Sequence, residues 1–103
     1  MTRGTSPALI INVTGNDFSD AASVIVSLEQ LDVTINKTGA SVDIVSGADD
    51  DAVITVYYTQ KETLSLAPGK AYIQIRWTDT GGVAYASPIK EVSIGDVLME
   101  GVI

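Results

Sequence analysis

At 103 residues the chain has room for one domain and not for two, and its 46% hydrophobic content is enough for a single core. Cysteine and histidine are both absent, which removes disulfides, thiol nucleophiles, the commonest general base and the commonest metal ligand. Thirteen acids against six bases set the net charge at −7, and the cations Arg3, Lys37, Lys61, Lys70, Arg76 and Lys90 stand singly, so neither nucleic acid nor an anionic membrane is an expected partner.

The opening Met-Thr-Arg-Gly-Thr-Ser-Pro is polar, and the apolar run behind it is too short for a signal-peptide core. No stretch approaches the ~20 apolar residues of a membrane helix. The expectation is a soluble protein made in the cytoplasm without an export signal. From there the chain alternates with period two, the strand rhythm. Leu9, Ile11 and Val13 share one phase; Val24, Val26 and Leu28 follow; then Val33 and Ile35, and Val42 and Ile44. Ile54, Val56 and Tyr58 make a fifth run, and Ala71, Ile73, Ile75 and Trp77 the clearest one.

Turn residues punctuate these runs at Gly15-Asn16-Asp17, Gly39, Ser46-Gly47, Pro68-Gly69 and Thr80-Gly81-Gly82, the last predicting a tight hairpin. Pro88 breaks the final run (Ile89, Val92, Ile94) and predicts a bulge or edge position there. Only Thr59-Gln60-Lys61-Glu62-Thr63-Leu64 looks helical. Thr59 is a cap candidate with Glu62 three residues on, and the segment is long enough for one linking turn. About seven short strands at this spacing predict a single all-β domain over 1–103, an immunoglobulin-like antiparallel β-sandwich.

Two features go beyond the fold. Ile10, Ile25, Val53, Tyr57 and Tyr72 occupy the phase assigned to solvent, where a sheet with one wet face is normally polar. Another chain covering part of an outer face is one explanation; ordinary scattered surface hydrophobes are the other. The ending, residues 95–103, is unusually apolar for a terminus through Val97, Leu98, Met99, Val102 and Ile103. It either packs on its own sandwich or docks on a neighbour. Tyr57, Tyr72 and these five tail residues are the candidate interaction residues.

Local matches to catalytic patterns do not survive their context. Ser87-Pro88-Ile89-Lys90 fits S-x-x-K and Lys37-Thr38-Gly39 fits K-T-G, but their order is reversed, the serine lies in a strand setting, and no S-D-N occurs. Asp49-Asp50-Asp51 lacks the spacing and turn glycine of a calcium loop and reads as a solvated run. The sequons at Asn12 and Asn36 matter only in a secretory setting. Thirteen acids offer many carboxylate pairs, yet a small filled sandwich has little room for a glycosidase cleft. Trp77 continues the inward phase and reads as core, while Gln74 and Arg76 face outward. No cofactor, metal site or catalytic residue is expected.

Several segments together resemble the N-terminal domain of phage upper baseplate proteins, a family of siphophages and prophages of Gram-positive bacteria. They are Arg3-Gly4-Thr5-Ser6-Pro7, Val24–Gln30, Thr59–Leu64, Pro68–Arg76, and the close Ile94-Gly95-Asp96-Val97-Leu98 with Gly101-Val102-Ile103. The Gln-x-Glu-Thr-Leu corner and the Gly-Val-Ile ending weigh most. The resemblance implies an immunoglobulin-like domain that anchors a structural protein in the tail-tip baseplate. It further implies partners among other phage tail and baseplate proteins, a homo-oligomer, and a place in the virion. Family members commonly carry a longer C-terminal part reaching toward receptor-binding components. A carbohydrate- or cell-surface-binding immunoglobulin-like module is the alternative, with Tyr57, Tyr72 and Tyr85 as its aromatics.

Overall fold

The computed structural model describes residues 1–15, 18, 21–46 and 51–103. The turn expected at 15–17, the one at 46–47 and the aspartate run at 49–51 lie partly outside the described residues. Among the described residues eight strands form: β1 (Ala8–Val13), β2 (Ala21–Gln30), β3 (Val33–Lys37), β4 (Val42–Ser46), β5 (Ala52–Tyr57), β6 (Gly69–Asp79), β7 (Ala84–Ala86) and β8 (Lys90–Ile94). A short helix, α1 (Gln60–Leu64), links β5 to β6, and a single 3-10 turn (Gly39–Ser41) precedes β4.

The strands build two antiparallel sheets, one in the order β1-β5-β4 and one in the order β3-β2-β6-β7, with β8 also on β6. In immunoglobulin lettering these are B-E-D and C′-C-F-G. No strand among the described residues takes the A position outside β1. The expected all-β sandwich is therefore present, and the inward phase is the one alternation named. Val26, Leu28, Ile54 and Val56 are fully buried, with Ile73, Ile75 and Trp77 beside them. Burying each such aliphatic chain contributes ~1.5–3 kcal/mol. Trp77 lies 4.3 Å from Phe18 and 5.5 Å from Tyr85, ring centre to ring centre, so it is core as expected.

Local chemistry explains the joints. The β6–β7 hairpin closes through Asp79, whose Oδ1 accepts from the Gly81 and Val83 amides while Gly82 takes φ 83°. At Pro88 the last run splits into β7 and β8. Ser87 bridges the interruption: its amide donates to the Ile75 carbonyl, and its Oγ accepts from the Ile75 amide in place of a ladder carbonyl. Thr59 and Glu62 form a reciprocal capping box on α1, with Thr59 Oγ1 accepting from the Glu62 amide and Glu62 Oε1 from the Thr59 amide. The β2–β3 turn was not legible in advance, because Leu31 takes φ 50° where glycine or asparagine is usual.

Gln30, buried at the end of β2, holds the loop before β6. Its side-chain amide donates to the Ala67 and Lys70 carbonyls, and its oxygen accepts from the Ala67 amide. Lys37 points inward from β3, pairs with Glu62 at 2.6 Å and lies 5.6 Å from the Tyr58 ring centre. Burial, reinforced by Glu62, pushes the Tyr58 hydroxyl up to about 12. That hydroxyl has no hydrogen-bond partner among the described residues.

Candidate interaction surfaces

Both chain ends meet at one end of the sandwich. The Met1 ammonium donates to the Ser93 carbonyl, Gly95 donates to Met1 O, and Arg3 N donates to Gly95 O, making a short parallel bridge beyond β8. Arg3 is the hub of this junction. Its guanidinium donates to the Leu64 and Leu66 carbonyls at the close of α1, and pairs with Asp96 at 3.0 Å and Glu100 at 2.7 Å. The hydrogen bonds that Arg3 donates to Glu100 and Asp96 raise its pKa further. Asp96 is held below the ordinary carboxylate value, first by the Val97 amide and then by Arg3.

Two more contacts close the junction. The buried Thr63 hydroxyl lies 2.8 Å from the Thr5 carbonyl. The Gln60 side chain mimics a strand partner for Ile103, accepting from its amide at 2.9 Å and donating to its carbonyl. The tail is thus positioned through its backbone and acids, not its apolar side chains. Val97 is half-buried, whereas Leu98, Met99, Val102 and Ile103 stand in solvent. Sequence reasoning picked out these side chains but missed Arg3 and Gln60 as what holds them. Separations of 43 and 93 residues leave no local signal for such pairings.

The structure divides the remaining candidates between opposite faces. Tyr57 lies on the outer face of the three-stranded sheet with Ile10, Val45 and Val53, of which Ile10 and Val45 are 62% and 61% exposed. Val53 and Val45 are direct cross-strand partners, so the apolar groups adjoin. Tyr72 lies on the outer face of the five-stranded sheet, directly opposite Glu29 on one side and Glu91 on the other. Glu91 also pairs with Lys70 at 3.2 Å. Ile25 on that face is opposite Arg76. One face presents a small apolar patch; the other sets its two hydrophobes among charges.

The Ser87 hydroxyl is taken up by the Ile75 amide and the Pro88 carbonyl. Among the described residues no three of Asp and Glu gather closely enough to hold a metal ion. Tyr85 stacks on Trp77 at the rim and donates to Asp79, so Tyr57, Tyr72 and Tyr85 share no common platform. Comparison of the chain with protein-family models, curated proteins and solved structures found no match.

Proposed function

We propose that this chain is a non-enzymatic virion structural protein, a baseplate or tail accessory module that works by binding other tail proteins. The observation that carries the proposal is the tail. Leu98, Met99, Val102 and Ile103 are held out in solvent on a backbone fastened at Arg3 and Gln60. Ordering a chain end costs about 1–2 kcal/mol per residue, and exposed apolar side chains return nothing against that within the domain. A partner surface would.

Segments bearing the family resemblance, Arg3–Pro7, Thr59–Leu64, Ile94–Leu98 and Gly101–Ile103, also converge on this junction, which supports reading it as the docking end. The carbohydrate-binding alternative draws less support, since its three tyrosines do not share a face. Co-expression with neighbouring tail-gene products, followed by co-purification and light scattering, tests the proposal. A stable complex lost on deleting residues 97–103 is the expected result. A chain that ignores every tail protein yet binds on a glycan array, with Tyr72→Ala as the control, would replace it with the alternative.

A further inference from the structure

The sandwich has exposed sheet edges, and all but one are defended. An edge strand offers unpaired N–H and C=O groups to any other strand, and proteins blunt it with inward charges, proline, short strands or a cover. At β3 the inward-pointing Lys37 pairs with Glu62, and α1 lies alongside Thr34 and Ile35. β4 carries Asp43 as its second residue. β7 is three residues long, Pro88 follows it, and β8 bears Lys90 and Glu91. Along its length β1 has none of these devices: residues 4–16 contain no charge, Ala8–Val13 pair with β5 without a bulge, and Pro7 just before the strand turns its carbonyl to β5 and leaves the open edge unblocked.

The hydrogen-bond phase of β1 follows from one bond. Tyr58 N donates to Pro7 O, so Pro7 and Tyr58 are a bonded pair in the β1–β5 register. Antiparallel alternation then turns the backbone groups of Leu9, Ile11 and Val13 toward β5. Those of Ala8, Ile10 and Asn12 turn toward the open edge. Nothing among the described residues pairs with them.

We propose that this edge pairs with β1 of a second copy of the chain, antiparallel across a two-fold axis at Ile10. The register is self-complementary. Ile10 meets Ile10 of the partner copy, Ala8 meets Asn12, and Asn12 meets Ala8, so all three outward-directed residues exchange bonds. Pro7, which lacks an N–H, falls opposite Val13 at a position whose backbone is not directed at the partner. The result is a continuous six-stranded sheet, an isologous contact that closes on itself.

Charge selects this occupant over a foreign strand. With a net charge of −7, two copies repel each other least where the surface is neutral, and β1 lies within the longest uncharged stretch of the chain. A basic partner segment would be drawn to the acidic surface elsewhere. A cavity of about 160 Å³ opens beneath the edge, lined by Ile11, Val13, Ile73, Ile75 and Pro88, with Lys90 the one charged residue on its wall. Leu9 of the second copy, on the same side of the joined sheet, would lie against its mouth.

The inference does not depend on the tail assignment, and the purified chain alone tests it. The expected result is a mass of twice 10.8 kDa by light scattering at high micromolar concentration, falling to the monomer on dilution. Ile10→Lys sets two like charges side by side on the axis and should weaken the dimer at least tenfold. Ile10→Pro removes an N–H unused within the described chain and should do the same while circular dichroism stays that of the native fold.

Because the chain has no cysteine, Ile10→Cys reports register directly. A bonded antiparallel pair sets the two Cα atoms about 5.5 Å apart, within disulfide range. Mild oxidation should cross-link Ile10→Cys at least tenfold faster than Asn12→Cys or the exposed control Leu31→Cys. A monomer at every concentration, or a dimer unaffected by both Ile10 variants and cross-linking equally at all three sites, would overturn the proposal.

Discussion

The two sheets repeat one sequence rule and end with different outer faces. On the five-stranded sheet the outward hydrophobes Ile25 and Tyr72 sit opposite Arg76, Glu29 and Glu91. On the three-stranded sheet Ile10, Val45, Val53 and Tyr57 lie together with a single acid, Asp43, beyond Thr55. Exposure of the individual side chains hardly separates them, since Tyr57 and Tyr72 are 48% and 49% exposed. What separates them is the cross-strand neighbour, which decides whether an apolar group is isolated in a polar field or part of a patch.

The strongest perturbations of this comparison act from the inside. Leu28→Ala in the large sheet and Ile54→Ala in the small one each empty a fully buried site and should cost about 2–5 kcal/mol in urea melts. A small-sheet value near zero would mean that the three strands are not folded into the common core, and the outer-face contrast would lose its meaning. Gln30→Ala comes next. It strips three part-buried hydrogen bonds from the loop that leads into β6 of the large sheet, for about 1–3 kcal/mol.

A pH titration probes the α1 junction that spans the two sheets. Burial by itself would raise the Glu62 carboxyl, but hydrogen bonds from Lys37 and the Thr59 amide outweigh it and hold the value below the usual 4.5. A carboxyl depressed in the folded state stabilises the fold above its unfolded pKa of about 4.3, and that contribution is lost as pH falls through the folded value. Asp96 is depressed as well and acts in the same direction. Stability should therefore drop below about pH 4.5, less steeply in Glu62→Gln than in the parent. A parallel slope in the variant would remove Glu62 from the account.

The smallest stability effects belong to the outer faces themselves. Tyr57→Asp and Tyr72→Asp should each shift stability by only about 0.5 kcal/mol, because both side chains are solvated. They should part company in binding. Tyr57→Asp places a charge in the apolar patch and should weaken capture of a tail partner, whereas Tyr72→Asp joins a row that is already charged. Equal effects on binding would erase the distinction between the faces.

Most of the fold was legible in the sequence because a strand's burial phase is a local property. Two-residue alternation named the inward sets correctly, including Trp77, and the capping box at Thr59 and Glu62 was readable from spacing alone. The hairpin at Gly81-Gly82 and the break at Pro88 were equally plain, since backbone angle and a missing N–H are residue properties. The β2–β3 turn escaped because Leu31 adopts an angle its side chain disfavours. The candidate surfaces were legible only as a set of exposed side chains. Tyr57 and Tyr72, equal in phase and type, were assigned to opposite sides of the molecule by strand pairing.

By itself, then, the sequence determined that greasy side chains alternate, where the chain turns, and that no histidine or cysteine chemistry is available. Those are matters of composition and of neighbours one to four residues apart. Tertiary structure alone decided that Arg3 would hold Asp96 and Glu100, that Gln60 would receive Ile103, and that among the described residues nothing would pair with the outer edge of β1. Each depends on which strands lie side by side, and hydrophobic alternation is silent on that because burial is non-directional: it assigns a side chain to the interior without choosing its neighbour.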